Sequence, residues 1–162
     1  MRIRKAHPGE GDALAEVYEA ARKFMRTTGN HTQWTGGYPS RELIRKDIDE
    51  NHLYVCLTEE DIIAGVFYFR IGNDETYDHI YEGEWLNNRP YGVVHRLASS
   101  GIRKGVGEFC LDWCLRQCGN LRIDTHRDNN VMQGIMKRNG FLYCGIIYLN
   151  DGSERLAFQK TG

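Results

Sequence analysis

A glycine-rich segment between a strand pattern and a helix pattern most constrains what this chain can fold into. Gly101-Ile102-Arg103-Lys104-Gly105-Val106-Gly107 follows the apolar run from Gly92 to Ala98 and precedes a helical repeat. Its glycines allow a sharp turn and let a ligand approach the main chain closely. The first amides of the next helix are unpaired and lie at the positive end of its dipole. The segment therefore indicates either a phosphate or diphosphate site, or a plain strand-to-helix turn.

Length and charge balance narrow the class of protein and of partner. The chain has 162 residues, so we expect one domain spanning residues 1–162. Its formal net charge is -1 and its basic residues are dispersed, which argues against a nucleic-acid partner. No apolar run approaches the roughly 20 residues of a membrane helix, and the first eight residues lack a signal-peptide pattern. We therefore expect no membrane association and a cytoplasmic location.

Three of the five cysteines recur at helical spacing. Cys110, Cys114 and Cys118 are compatible with a metal site or with small side chains on a buried helix face. One helix face cannot surround a tetrahedral ion by itself, and the chain contains no CxxC pair. Burial is therefore the favoured interpretation, and we expect neither a metal nor a disulfide framework.

Hydrophobic periodicity predicts about seven strands and about four helices. The predicted strands are Arg2–Ala6, Leu53–Leu57, Ile62–Ile71, Gly92–Ala98, Leu121–Thr125, Phe141–Leu149 and Arg155–Gln159. Asp12, Ser40 and Asp128 are placed to cap the first, second and fourth helices, and the third helix follows the glycine-rich segment. A crossover helix should make the fourth and fifth strands parallel within a mostly antiparallel, mixed α/β sheet.

Two segments occur in an order that is typical of one enzyme family. The first is the strand Gly92–Ala98 with the glycine-rich segment and its helix. The second is Asn129-Asn130-Val131-Met132-Gln133-Gly134-Ile135-Met136-Lys137-Arg138-Asn139-Gly140-Phe141, an Asn, a helix, a basic residue and Gly-Phe. With both, the chain resembles the GCN5-related N-acetyltransferase (GNAT) superfamily from about Arg2 to Lys160. The resemblance implies the GNAT fold, acetyl-CoA as co-substrate and acetyl transfer to an amine.

The resemblance also implies which residues hold acetyl-CoA. Main-chain groups of the glycine-rich segment should hold its diphosphate, namely Arg103, Lys104, Gly105, Val106 and Gly107. The pantetheine arm should pair with the backbone of Leu97, Ala98 and Ser99. Asn129 matches the family's Asn that reaches the pantetheine, or it only caps its helix.

The sequence departs from the family pattern at two positions. Ile102 stands where the family has Gln or Arg, and Met136 stands where the family has the Tyr that protonates the leaving thiolate. Tyr143 and Tyr148 are candidates for a replacement acid, although packing in the sheet is the simpler role for both. These departures leave a non-catalytic acyl-CoA-binding or regulatory module as the alternative function.

Three residues are candidates for the general base. His95 comes first, because an imidazole exchanges protons near neutral pH and the fourth strand should lie where the parallel strands separate. The alternative for His95 is a hydrogen-bonded structural histidine. Glu84 is second, against the alternative of a solvated surface charge, and His126 is third, with ordering of the next helix as its simpler role. Strict alternation places Arg96 on the face opposite His95, where Asp124 would be its ion-pair partner.

Two loops carry the residues expected to contact the acceptor. The segment 27–39 contains Trp34 and Tyr38, and the acidic segment 72–90 contains Trp85. Carboxylates beside aromatic faces suit a cationic amine, so we expect a small-molecule amine as substrate. The alternative is that these aromatic residues only pack their loops. A homodimer stays open as the oligomeric state.

Overall fold

A seven-stranded sheet forms the centre of the structure, a computed structural model that describes residues 1–162. The strands are β1 (Arg2–Lys5), β2 (Leu53–Leu57), β3 (Ile63–Ile71), β4 (Gly92–Ser99), β5 (Asn120–Thr125), β6 (Leu142–Tyr148) and β7 (Glu154–Thr161). The helices are α1 (Gly11–Thr27), α2 (Arg41–Asp49), α3 (Val106–Cys118) and α4 (Asn130–Arg138), with short 3-10 turns at Pro8–Glu10 and Glu75–Tyr77.

The strand order is β1-β2-β3-β4-β5-β7-β6. Only β4 and β5 are parallel, and α3 makes the crossover between them. All other neighbouring strands are antiparallel, and β6 and β7 form the final hairpin. The predicted mixed sheet with one parallel central pair and four helices is confirmed.

Local side-chain chemistry explains where the first two helices begin. Ser40 caps α2 as predicted, because its hydroxyl oxygen accepts a 3.1 Å hydrogen bond from the amide of Leu43. The predicted cap of α1 is wrong: this helix begins at Gly11, so Asp12 already lies in its first turn. The Asp12 carboxylate instead pairs with Arg41 at the start of α2.

Each face of the sheet has its own hydrophobic core. Helices α1 and α2 cover one face around Leu14 and Tyr18, and α3 and α4 cover the other around Phe67. Cys110 and Cys114 are buried in this second core, which confirms the prediction that they are small side chains on a buried helix face. Burial raises the pKa of the Cys114 thiol. No group of three or more His, Cys, Asp or Glu side chains is arranged to hold a metal ion. None of the helices has the length and apolar character needed to cross a bilayer.

Candidate active site

The parallel strands β4 and β5 separate soon after they begin. They pair only at Gly92 with Leu121 and at Val93 with Arg122. Beyond these pairs β4 keeps β3 as its neighbour and β5 keeps β7, so the two inner edges diverge. Diverging edges leave backbone N–H and C=O groups free to pair with an extended ligand. This opening is the centre of the candidate site.

A bulge in β4 decides which side chains face the opening. Arg96 has a φ of 53°, and the β3–β4 register shifts so that Arg96 and Leu97 together oppose Phe67. The His95 ring lies 5.7 Å from the Tyr68 ring, and the Arg96 guanidinium carbon lies 4.7 Å from the same ring centroid. His95 and Arg96 therefore share one face. The prediction that they lie on opposite faces is wrong, because it assumed unbroken alternation.

Arg96 has a different ion-pair partner from the one predicted. Its Nε donates a 2.9 Å hydrogen bond to Asp47 Oδ2, and its Nη1 donates a 3.2 Å bond to the hydroxyl of Tyr38. Burial raises the pKa of Asp47, against the opposing effect of the Arg96 charge. The predicted pairing with Asp124 is wrong, since the bulge directs Arg96 toward α2.

A cavity of about 620 Å³ fills the opening between the strands, within the usual range for small-molecule sites. Its walls come from β4, β5, the 27–39 loop and the turn before β7. The lining residues include Gln33, Trp34, Tyr38, Asp74, His95, Leu97, Asp124, Asn129, Asp151 and Arg155. A smaller cavity of about 120 Å³ continues toward the glycine-rich segment and is lined by Leu97, Ala98, Ser99, Val106, Gly107 and Asn129, among others. Because the two cavities share Leu97 and Asn129, they form one cleft along β4.

The glycine-rich segment forms the far end of this cleft. Gly105 has a φ of 79° and occupies the N-cap position of α3, a left-handed conformation that glycine adopts at low cost. No atom lies within 4 Å of the place that a Cβ would take at Gly105 or at Gly101. Arg103 pairs with Glu59, whereas Lys104 is exposed and has no ion-pair partner. The unpaired first amides of α3 and this open approach fit a diphosphate.

The His95 imidazole is held by a carboxylate from the acidic loop. His95 Nε2 lies 2.6 Å from Asp74 Oδ2, and both side chains are largely buried. The other oxygen, Asp74 Oδ1, accepts hydrogen bonds from the amide and the hydroxyl of Thr76, at 3.0 and 2.7 Å. Burial opposes ionisation of Asp74, but the bonds from His95 and Thr76 outweigh it and hold its pKa below the usual range. A carboxylate fixed in this way orients the imidazole.

The acidic loop contributes a second carboxylate contact. The buried Tyr77 hydroxyl donates a 2.6 Å hydrogen bond to Asp124 Oδ2 on β5, and the Tyr77 ring lies 6.0 Å from the His95 ring. Burial raises the pKa of Tyr77 well above its usual value, so the phenol stays a donor. The loop therefore packs beside β4, as an ordered loop of this length predicts.

The three aromatic residues predicted for the acceptor side, and the base candidate Glu84, separate into two groups. Trp34 and Tyr38 line the large cavity, with ring centroids 6.4 Å apart. Trp85 lies behind the site, where its indole donates to the Tyr77 carbonyl. Glu84 is exposed and lies outside the cavity lining. Glu84 and Trp85 are therefore separated from the site because only the start of their loop reaches the cavity.

Asn129 has a capping role in the structure. Its Oδ1 accepts a 3.0 Å hydrogen bond from the amide of Met132, which makes Asn129 the cap of α4 in place of the predicted Asp128. The neighbouring turn causes this one-residue shift, since the Asp128 amide donates to His126 Nδ1 at 3.0 Å. Asn129 Nδ2 donates to Gln33 Oε1 at 3.1 Å across the cleft. Asn129 thus connects α4 to the 27–39 loop while it lines both cavities.

The remaining candidates do not line the large cavity. His126 connects the 27–39 loop to the start of α4, with Nε2 2.9 Å from the hydroxyl of Thr32. Tyr143 and Tyr148 are half exposed on β6 and do not line the cavity. Met136 is fully buried in the second core. Tyr143, Tyr148 and the residue at position 136 therefore do not supply the cavity with the acid that the family has.

Sequence reasoning missed Asp74, Asp124 and Gln33 as site residues. Asp74 begins an Asp-x-Thr sequence, which is typical of a side-chain-capped turn, and this local signal could have marked a rigid carboxylate. Its contact with His95, 21 residues away, has no local signal. Asp124 follows the apolar part of a strand, where ligand-binding side chains commonly lie. The sequence pattern instead indicates an ion pair between Asp124 and Arg96, which hides this role.

Comparison with solved structures identifies relatives of the whole chain. A GNAT-family acetyltransferase from Streptococcus agalactiae 2603 is 35% identical, with 99% of this chain and 95% of that chain covered and a TM-score of 0.89. A GNAT-family acetyltransferase from Listeria monocytogenes 4b F2365 is 17% identical, with 99% and 94% covered and a TM-score of 0.71. The ribosomal-protein-alanine N-acetyltransferase of Brucella melitensis is 17% identical over 100% of both chains, with a TM-score of 0.66.

The last two similarities are evidence for the fold alone, whereas the first extends to the sequence. No protein-family model matches the chain, and no match is found among curated proteins. The strand separation beside a glycine-capped helix is the geometry that the family resemblance implies. Because the Streptococcus agalactiae protein is 35% identical over nearly the full length of both chains, the protein belongs to the GNAT family of acetyltransferases and is an acyltransferase.

Proposed function

We propose that this enzyme transfers the acetyl group of acetyl-CoA to the amine of a small acceptor. One observation carries the proposal: the His95–Asp74 pair lies beside the open edge of β4, in a cleft that continues to the N-terminus of α3. A proton acceptor and a diphosphate-binding end thus occupy one continuous space.

Two features support acetyl-CoA as the donor. The start of α3 offers unpaired amides, and the open space above Gly101 and Gly105 lets a diphosphate approach the main chain. The backbone of Leu97, Ala98 and Ser99 follows the free edge of β4, where an extended pantetheine arm would find strand-like partners. Acetyl-CoA supplies an activated acetyl group, and holding both reactants in one cleft accounts for much of the rate enhancement.

His95 acts as the base in this proposal. With Nε2–H donating to Asp74, the lone pair of Nδ1 is left to accept a proton, and Nδ1 makes no hydrogen bond within the chain. The acceptor's ammonium must lose one proton before its nitrogen can attack a carbonyl carbon. The proton moves to His95 Nδ1, and the Asp74 carboxylate stabilises the resulting imidazolium.

The backbone and the leaving group complete the reaction. A free N–H of β4 at Leu97 or Ala98 polarises the thioester carbonyl as negative charge develops on its oxygen. Met136 cannot donate a proton, and it is buried away from the cleft. As the new C–N bond forms, the C–S bond breaks and CoA departs as thiolate, for which an ordinary thiol pKa near 8.5 makes it a good enough leaving group. The second proton of the attacking nitrogen passes to solvent.

Release of CoA over a panel of small amines, together with calorimetric titration of acetyl-CoA, tests the proposal. We expect saturable binding of acetyl-CoA and turnover with at least one amine. His95→Gln should lower kcat by about 10²- to 10⁴-fold and remove the acidic limb of the pH–rate profile, where protonation of a base stops catalysis. His79→Gln is the matched control, because His79 is an exposed histidine in the acidic segment 72–90. Tight binding without turnover on any amine would favour a binding module instead.

A further inference from the structure

Two charged side chains on one wall of the large cavity have no ion-pair partner within the chain. Asp124 lies on β5 and Arg155 on β7. Asp124 is directly opposite Ala157, so Arg155, two residues earlier, is its diagonal neighbour on the same face of the sheet. Such diagonal neighbours lie roughly 7–8 Å apart, with their Cβ atoms somewhat closer. The pair thus presents a negative and a positive group side by side to the same space.

Both groups keep unused hydrogen-bonding capacity. One oxygen of Asp124 accepts from Tyr77, and the other makes no hydrogen bond within the chain. The Arg155 guanidinium donates once, to the backbone carbonyl of Glu154 at 2.8 Å. Arg155 is only partly exposed and lines the cavity, and its remaining N–H groups make no hydrogen bond within the chain.

The other charges of the cavity have an ion-pair partner or, in Asp151, two hydrogen bonds to one carboxylate oxygen. Asp74 is paired with His95, and Arg96 is paired with Asp47. Asp151 also lines the cavity near Arg155, and its Oδ1 accepts the amide and hydroxyl of Ser153. Asp124 and Arg155 are therefore the charges that a ligand would meet with the fewest competing partners.

His95, Asp124 and Arg155 follow one another along the cavity wall. The Tyr77 side chain lies between Asp124 and His95, with its hydroxyl on Asp124 and its ring 6.0 Å from the imidazole. His95 and Asp124 line the same cavity, so an ammonium held by Asp124 shares that space with the base, and Arg155 lies on the side of Asp124 toward the start of β7. A carboxylate attached to the same small molecule would lie next to Arg155, which binds carboxylates through two parallel N–H groups.

We propose that the acceptor is a free amino acid, with its amine held by Asp124 near His95 and its carboxylate held by Arg155. This inference rests on the proposed function and names the substrate class for it. Each end of the molecule would neutralise a group that the fold leaves without an ion-pair partner. A simple amine would leave Arg155 without a partner, and so would a peptide N-terminus, whose first carboxylate is converted to an amide.

Acetylation of three matched series tests this inference: the standard L-amino acids, their α-amides and the corresponding decarboxylated amines. We expect kcat/KM to be at least tenfold higher for the best amino acid than for its amide or amine. Arg155→Gln should raise the KM for that amino acid at least tenfold, leave the KM for acetyl-CoA unchanged and abolish the preference. Arg155→Lys should restore part of it, because the charge returns without the two-pronged geometry. Arg127→Gln is the control, an exposed arginine that pairs with Glu154 outside the cavity lining.

The possible outcomes separate this inference from the function on which it rests. Equal or better use of amides or amines, with acetyl-CoA still consumed, overturns the amino-acid acceptor and leaves the acetyltransferase intact. Calorimetric binding of an amino acid to the CoA-loaded enzyme that is lost in Arg155→Gln, without turnover, supports the subsite and contradicts the catalytic proposal. Absence of both amino-acid binding and amino-acid turnover overturns the inference.

Discussion

The hydroxyl of Tyr18 in α1 donates a 2.8 Å hydrogen bond to the backbone carbonyl of Arg96, the residue whose positive φ forms the bulge in β4. Tyr18 is 1% exposed, and burial raises its pKa, so the phenol stays protonated and remains a donor. A non-glycine residue in this conformation is unfavourable and persists only when its surroundings hold it. The bond therefore ties α1 to the distortion that turns His95 and Arg96 to one face.

Tyr18→Phe tests this relationship. The substitution removes the hydroxyl that donates to the Arg96 carbonyl and leaves that carbonyl without its hydrogen bond. The free energy of unfolding should therefore fall by about 1–3 kcal/mol in urea titrations. Activity should fall as well, because the bulge positions His95. Tyr81→Phe is the matched control, since Tyr81 is half exposed and its hydroxyl makes no hydrogen bond. Equal stability of the two variants would show that the bond does not support the bulge.

The order of the strands and helices could be predicted from the sequence, whereas the geometry of the site could not. Apolar periodicity and glycine positions are local properties, and they indicate β4, the glycine-rich segment and α3 correctly. The bulge at Arg96 has no such signal, because no glycine marks it and the apolar pattern continues across it. Because the bulge is not visible in the sequence, the sequence wrongly predicts that Arg96 pairs with Asp124. Only the tertiary contacts show that its partner is Asp47. The His95–Asp74 contact is likewise a product of how the acidic loop folds back on the sheet.

Asp74→Asn tests whether the carboxylate positions His95. The amide keeps the shape but carries no charge to stabilise a protonated imidazole, so kcat should fall about 10- to 100-fold, part of the range for acid–base catalysis. The KM for acetyl-CoA should stay unchanged, and the acidic limb of the pH–rate profile should shift. Glu75→Gln removes an exposed carboxylate one residue away and should leave both parameters unchanged. A fall in kcat with an unmoved pH profile would assign Asp74 a structural role only.

The same carboxylate predicts a difference in acid stability. The pKa of Asp74 is lower in the folded protein than its usual value near 3.9. A lowered carboxylate pKa contributes stability that is fully present above the unfolded value and is lost as the pH falls below it. The parent should therefore lose more of its unfolding free energy than Asp74→Asn as the pH falls below about 4. Parallel losses in urea titrations across this range would contradict the assignment.

Gly105→Asp and Gly105→Asn together test the diphosphate site. Both side chains tolerate the left-handed conformation better than most residues, and both have open space at this position. Only aspartate places a negative charge beside the first amides of α3, where a bound anion would lie. The Kd for acetyl-CoA should be at least about fivefold weaker for the aspartate variant, a difference near 1 kcal/mol. Equal affinities in calorimetry would remove this segment from the donor site.

Gly65→Ala tests whether the close contact between β3 and the start of α3 positions the glycine-rich segment. A Cβ at Gly65 would lie 2.6 Å from Val106 Cγ1 and 3.1 Å from the Ala98 carbonyl oxygen, so the Val106 side chain or the start of α3 must move away from β3. Overpacking of this kind costs about 1–3 kcal/mol of unfolding free energy, and acetyl-CoA affinity should fall with it. Gly9→Ala is the control, because nothing lies within 4 Å of its Cβ position. Lost stability with unchanged affinity would mean that the amides at the start of α3 can shift without affecting acetyl-CoA binding, so the precise placement of this helix would not determine donor affinity.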